Sequence, residues 1–327
     1  MLLKNVLRLT LVFTLMVIFM GAYTRLSDAG LGCPDWPGCY GHVKVPTADH
    51  ELARAESTFP GMTVEPAKAW LEMIHRYIAA SLGLLVIGIL VMCLRGDDTP
   101  RRLPLLILLL ILFQGALGAW TVTMKLMPVV VMSHLLGGFT LASLLLLLYL
   151  RTRPLRIPGG DSRMRQLAPF ALMCLAILVL QILLGGWTSS NYAALACTSL
   201  PICEGDWTGN LQLADAFSPF QGEHPSFEYG VLDYHTRMTI HVVHRFGAMV
   251  TALFLGVLGW RLWRQSRAYL LRQAGVVLML LLLAQVALGV SNVVLHLPLA
   301  IAVAHNMGAA LLLLTLVFIN YALWRKA

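Results

Sequence analysis

Five of the ten histidines, His75, His134, His241, His244 and His305, fall within long apolar runs. An ionisable side chain in such a run is costly, which makes each a candidate functional group. At 1.5 Å per helical residue, His75, His134, His244 and His305 all sit roughly 7–11 Å in from the same end of their runs. For one such histidine alone, a packed and hydrogen-bonded polar residue is the simpler account. Four at matching depth can instead work in pairs, because two neutral imidazoles facing across a helical bundle can ligate the iron of a haem. Glu72 stands three residues before His75, and His241 three before His244. That spacing puts both members on one helix face. A carboxylate beside an iron-bound macrocycle can serve as acid, base or proton relay, although Glu72 also suits a helix N-terminus. Arg76 and Arg245 follow their histidines directly. They are candidates for propionate contacts, with snorkelling to lipid head groups an equal alternative.

The elements that must position these groups are legible from composition. Of 327 residues, 58% are hydrophobic and 12% charged, and the mean hydropathy is +0.75. Soluble domains carry roughly 25% charged residues, so the solvent for most of this chain is lipid. Eight apolar runs are long enough to cross a bilayer as helices: Leu7–Ala22, Leu71–Leu94, Leu103–Val122, Val129–Leu150, Leu167–Trp187, Met238–Trp260, Ala274–Leu295 and Pro298–Leu323. No convincing small-x-small cleavage site follows the first, which therefore reads as an uncleaved helix. The net charge of +8 does not point to nucleic acid, because sixteen of the 24 Lys and Arg sit in alternate loops and tails that hold only Asp97, Asp98 and Asp161 as acids. The positive-inside rule then places both termini in the cytoplasm and residues 23–70 and 188–237 outside.

Cys93 and Cys174 lie within spans and read as small packing groups. The outward loops hold two close pairs, Cys33 with Cys39 and Cys197 with Cys203. An oxidising compartment favours two local disulfides there. Each is a structural clip or a redox-active pair. The outer histidines His42, His50, His224, His235 and His296 receive no role.

The chain is also duplicated. GLGCPDWPGC (30–39) matches AALACTSLPIC (193–203), EMIHR (72–76) matches HVVHR (241–245), QGALGAW (114–120) matches QVALGVS (285–291), and SHLLGG (133–138) matches AHNMGA (304–309). The fold expected is an all-α integral membrane protein, with eight transmembrane helices forming two pseudo-symmetric four-helix bundles. Four spans per half is an even number, so the halves share one orientation, as parallel repeats do. The boundary falls in the basic loop Arg151–Gln166, around Pro158-Gly159-Gly160, giving halves 1–155 and 156–327. Gly137, Gly138 and Gly308, next to His134 and His305, would make room for a flat macrocycle.

Taken in order, TRLSDAGLGCPDWPGC, EMIHRY, SHLLGG, IHVVHR and AHNMG on a duplicated eight-span chain resemble the haem A synthase family. The resemblance covers essentially all eight spans. It implies an enzyme of the bacterial inner (plasma) membrane that oxidises the C8 methyl of haem O to the formyl group of haem A, by two successive hydroxylations and loss of water. Carried onto this chain, it makes His75 and His134 the ligands of the substrate haem in the N-terminal half and Glu72 the catalytic carboxylate. His244 and His305 become the ligands of a haem b, with its iron, in the C-terminal half. Cys33 and Cys39 match loop cysteines that some members lack. An electron donor is required, and the haem O-forming enzyme or an oxidase assembly factor could dock. The rival readings are a membrane cytochrome b with two permanent haems serving a quinol, and a transporter. The Glu72/His241 difference favours the enzyme, since two equivalent electron carriers would not need it.

Overall fold

The computed structural model describes residues 2–96, 99–152 and 162–324. Eleven helices are found there: α1 (Leu2–Leu26), α2 (Asp49–Thr58), α3 (Pro66–Arg95), α4 (Arg102–Thr123), α5 (Pro128–Arg151), α6 (Ser162–Arg165), α7 (Ala168–Ser190), α8 (Leu213–Ala216), α9 (Tyr234–Gln265), α10 (Tyr269–Val294) and α11 (Leu299–Trp324). Eight of them, all but α2, α6 and α8, are long and apolar enough to cross a membrane. They coincide with the eight runs expected. No strand occurs among the described residues, only an isolated bridge between Cys39 and His42. The protein is a multi-pass, all-α membrane protein.

The helix starts follow local chemistry. Pro66 and Pro128 open α3 and α5, where a missing N–H costs nothing. Asp233 caps α9, its Oδ1 accepting the Thr236 N–H at 3.1 Å. Glu51 in α2 reaches back to the N–H groups of Thr47 (2.9 Å) and Ala48 (3.2 Å).

The chain divides into two compact units, Met1–Gly138 with Pro219–Val231, and Phe139–Ser218 with Leu232–Ala327. In the first, α1 packs on α3 and α3 on α4, while Gly137 of α5 meets Gln114 of α4 and Gly138 faces Ile18 of α1. Four helices thus close a ring. In the second, α7 packs on α9, α9 on α10, α10 on α11, and α11 back on α7. Asn320 of α11 donates to the Ala171 carbonyl of α7 at 3.1 Å. The segment Pro158-Gly159-Gly160 and the boundary at 155/156 lie outside the described residues.

The duplication extends to backbone conformation. The turn after α4 carries Lys125 and Leu126 at φ 50° and 63°, and that after α10 carries His296 and Leu297 at φ 55° and 61°. Asp28 after α1 and Tyr192 after α7 repeat this at φ 50° and 51°. The bonds Ala29 N–H to Thr24 O (3.0 Å) and Ala193 N–H to Thr188 O (2.9 Å) close equivalent turns.

Candidate functional site

In each unit two histidines rest on glycines of a neighbouring helix. A Cβ added at Gly21 of α1 would stand 2.8 Å from His75 Cε1 of α3, and one at Gly118 of α4 would stand 3.6 Å from His134 Cε1 of α5. In the second unit a Cβ added at Gly185 of α7 would stand 3.2 Å from His244 Cε1 of α9, and one at Gly289 of α10 would stand 3.1 Å from His305 Cε1 of α11. His75 of α3 and His134 of α5 thus fall in the first unit, and His244 of α9 and His305 of α11 in the second.

The ring nitrogens Nδ1 of His75, His134 and His305 are buried with no hydrogen-bond partner among the described residues. A buried polar nitrogen without a partner costs free energy, and an axial bond to iron with reorientation of the ring would remove that cost. No group of three or more His, Cys, Asp or Glu able to hold a metal ion is found among the described residues. Two imidazoles per unit instead fit a haem, whose porphyrin supplies four of the iron's ligands itself.

Glutamines, which the sequence reading missed, stand beside three of the four rings. Gln181 Nε2 lies 3.0 Å from His244 Nδ1 and donates to the His244 carbonyl at 3.0 Å. Gln285 Nε2 lies 3.4 Å from His305 Nε2 and donates to the His305 carbonyl at 3.0 Å. Gln114 occupies the equivalent place by His134, with Nε2 buried and unpartnered. These side chains fit only because glycine follows each histidine by three residues: a Cβ at Gly137, Gly247 or Gly308 would overlap the amide of Gln114, Gln181 or Gln285. The room expected for a macrocycle at Gly137 and Gly308 is thus filled by glutamine. The signal was present in QGALG, QILLG and QVALG at 114–118, 181–185 and 285–289.

Above each histidine pair sits a disulfide loop. Cys33–Cys39 and Cys197–Cys203 are both bonded, with Cα atoms 4.8 Å and 5.0 Å apart. Cys93 and Cys174 are free and buried. The first loop packs with Tyr40, Val45, Ala55, Ala69 and Met73, and the second with Met238 and Val242 of α9. Asp35 holds the first loop through the N–H groups of Tyr40 (2.6 Å) and Gly41 (3.0 Å). Glu204 holds the second through the N–H groups of Ser199 and Thr198, both at 3.1 Å. Those bonds, Ser199 foremost, lower the Glu204 carboxyl to about 2.

The two arginines grip these loops. Arg76 Nη1 donates to the carbonyls of Asp35 (2.9 Å), Pro37 (3.2 Å) and Gly38, and its Nη2 pairs with Glu72 Oε1. Glu72, only 5% exposed, accepts the Cys33 N–H on Oε2 at 2.9 Å. In the second unit Arg245 Nη1 donates to Ser199 O (2.6 Å) and Ile202 O, Nη2 to Cys197 O (2.6 Å), and Nε to His241 Nε2 (3.2 Å). Both guanidiniums, expected near propionates, are engaged by loop carbonyls. The Glu72/His241 difference is a difference in what each arginine holds on its own helix.

Residues 4–317 match the COX15-CtaA family, described as cytochrome oxidase assembly protein. A relative from Shewanella oneidensis named heme A synthase is 70% identical over 321 residues, covering 98% of this chain and 96% of the relative. Relatives of the same name from Nitrosospira multiformis and Halalkalibacterium halodurans are each 27% identical. They cover 97% of this chain, and 91% and 96% of their own lengths.

Proposed function

Because the chain belongs to the COX15-CtaA family, as an enzyme of haem A biosynthesis in the manner of the haem A synthases, we propose that it converts haem O to haem A by oxidising the C8 methyl to a formyl group. Each of two hydroxylations replaces one C–H of the methyl by C–OH, a two-electron oxidation that draws its oxygen atom and its oxidising equivalents from a co-substrate outside the chain, and the resulting gem-diol loses water to leave the aldehyde. The N-terminal half, 1–155, binds haem O between His75 and His134. The C-terminal half, 156–327, holds haem b between His244 and His305, and that haem supplies electron transfer when bound. Both termini are cytoplasmic in the bacterial inner membrane, with the disulfide loops outside.

The observation that carries this reading is Glu72. Of the two histidine sites built to one plan, the first alone has a buried carboxylate three residues from its histidine, fixed on one oxygen by Arg76 and on the other by the Cys33 N–H. Such a carboxylate is oriented before substrate arrives and can take or give a proton at the site. His241 at the equivalent place is an imidazole bonded to Arg245, suited to a site that holds rather than transforms. Arg76 and Arg245 fasten the loops over the two sites and offer positive charge to haem propionates. A substrate with a farnesyl tail suits entry from lipid.

The experiment is Glu72→Gln, which preserves shape and removes the charge. Haem O supplied to the purified variant should accumulate unchanged while the C-terminal haem spectrum persists. Undiminished haem A formation would refute the role given to Glu72.

A further inference from the structure

The second outward loop does not stay with its own half. Its segment Pro219–Val231 belongs to the first unit, which also holds the whole of the first outward loop. The segment has a defined shape. Gly222, Tyr229 and Gly230 turn it at φ 82°, 64° and 81°, and the Gly230 N–H closes on the Phe227 carbonyl at 3.1 Å. The His224 ring stands edge-on to that of Phe227, with centroids 5.4 Å apart. Phe227 is the one residue of the segment that is buried, at 6% exposed.

What the segment meets lies at the outer ends of the helices that carry the N-terminal histidines. The Phe227 N–H donates to the Lys125 carbonyl at 3.0 Å, in the turn that leads into α5 and His134. The next residue, Glu228, is half-buried. Burial foremost raises its carboxyl, against the charge of Lys68 in α3, while Asp28, Arg25 and Glu65 act on it as well. Lys68 precedes His75 by seven residues, roughly 10 Å along the helix. Arg25 stands in the last turn of α1, four residues beyond the Gly21 that faces His75. The matching turn of the second unit is barer. His296 holds the place of Lys125 there, and among the described residues its carbonyl takes no main-chain bond. Leu297 is half-buried where Leu126 is buried.

We infer that residues 219–231 are a strap that roofs the N-terminal site: anchored by Phe227, it keeps outer water from the bundle that carries His75 and His134. A macrocycle then reaches that site sideways from lipid and reacts out of contact with the aqueous phase. Such cover suits a site of chemistry, because closing a site keeps water from intermediates and completes their enclosure. A site that only holds its haem has no such need, in keeping with the barer turn of the second unit. The inference rests on the proposal that the N-terminal half receives haem O.

The test is the rate at which a membrane-impermeant maleimide labels a cysteine placed one turn outward of His134. The full chain is used in lipid nanodiscs, with Cys93 and Cys174 replaced by alanine. Val130→Cys lies on the His134 face of α5, four residues before it, and replaces a residue only 8% exposed. Ile301→Cys is its counterpart before His305. Phe227→Ala should speed labelling of Val130→Cys by at least about tenfold, since loss of a buried aromatic anchor raises the population of the locally open state. Labelling of Ile301→Cys should not change. An unchanged rate at Val130→Cys overturns the strap, and so does an equal rise at both positions, which would mean a general loosening. If Phe227→Ala does not accumulate, the smaller anchor of Phe227→Leu decides, with a severalfold rise expected at Val130→Cys alone and no rise overturning the strap. The underlying assignment is read separately, by the absorbance gained when haem O is added. That gain should vanish in His134→Ala; a gain that persists overturns the N-terminal site as the place of haem O, and with it the strap's part in the reaction, whatever the labelling shows.

Discussion

Glu72 Oε2 accepts the main-chain N–H of Cys33 at 2.9 Å, so a carboxylate on a membrane helix is tied directly to a residue of the outer disulfide. Its other oxygen is held by Arg76, which also gathers three carbonyls of the same loop. Carboxylate, guanidinium and loop form one hydrogen-bonded unit, and disturbing any part disturbs the orientation of the others.

Loss of the first disulfide is therefore expected to act on turnover rather than on haem content. With Cys33→Ala and Cys39→Ala combined, the loop remains tethered by Arg76 and Asp35, but the Cys33 N–H is no longer fixed. Haem A formation should fall severalfold, while the haem absorbance per protein stays at the wild-type level. Loss of haem along with activity would contradict this.

Separating the two halves by mutation gives a second expectation. His305→Ala should remove the C-terminal haem spectrum, because it deletes one member of the pair proposed to hold that haem. Glu72→Ala should leave that spectrum intact and abolish oxidation of haem O. Optical spectra of both purified variants, set beside product analysis, check the division.

Arg245 bears on stability. It is buried and donates to three carbonyls of the second disulfide loop and to His241. Hydrogen bonds from a charged donor are worth about 1.5–3 kcal/mol each, and the carbonyls left behind would be unsatisfied. Arg245→Met should lower stability by about 3 kcal/mol or more on that scale, read as a clear fall in the thermal midpoint in detergent. Arg245→Lys should recover only part, since an ammonium cannot span the same fork.

Glu204 predicts a pH dependence. Hydrogen bonds from the loop N–H groups, Ser199 first, lower its carboxyl from 4.5 to about 2. A group depressed on folding stabilises above its unfolded pKa and loses that contribution as pH falls through the folded value. The second loop should accordingly loosen between about pH 4.5 and pH 2. Glu204→Gln should flatten that part of the pH dependence, followed by protease cleavage within 197–204 in wild type and variant.

The spans and the histidines were legible because both are driven by the cost of polarity in lipid, which sequence records residue by residue. Boundaries were less so. α9 begins at Tyr234, four residues before Met238, because Asp233 caps it and His235 and Arg237 are tolerated on a helix end outside the apolar run. α2 escaped the reading because a polar ten-residue helix in a loop has no apolar stripe to declare it. The glycines under the rings and the glutamines beside them were hidden for a different reason. A glycine in a membrane helix reads as a generic small residue, and its meaning appears only when the facing ring or amide is known. The hold of Arg76 and Arg245 on the loop carbonyls escaped the reading on the same ground, since a guanidinium suits backbone carbonyls as readily as propionates.

The most direct test of the central claim is the identity of the haems in the purified protein, extracted with acidified acetone and resolved by chromatography and mass. One fixed cofactor and one substrate site predict haem B together with haem O, haem A or a hydroxylated form between them. Haem B alone at two per chain would mean a carrier of electrons with two permanent haems, and would contradict the account.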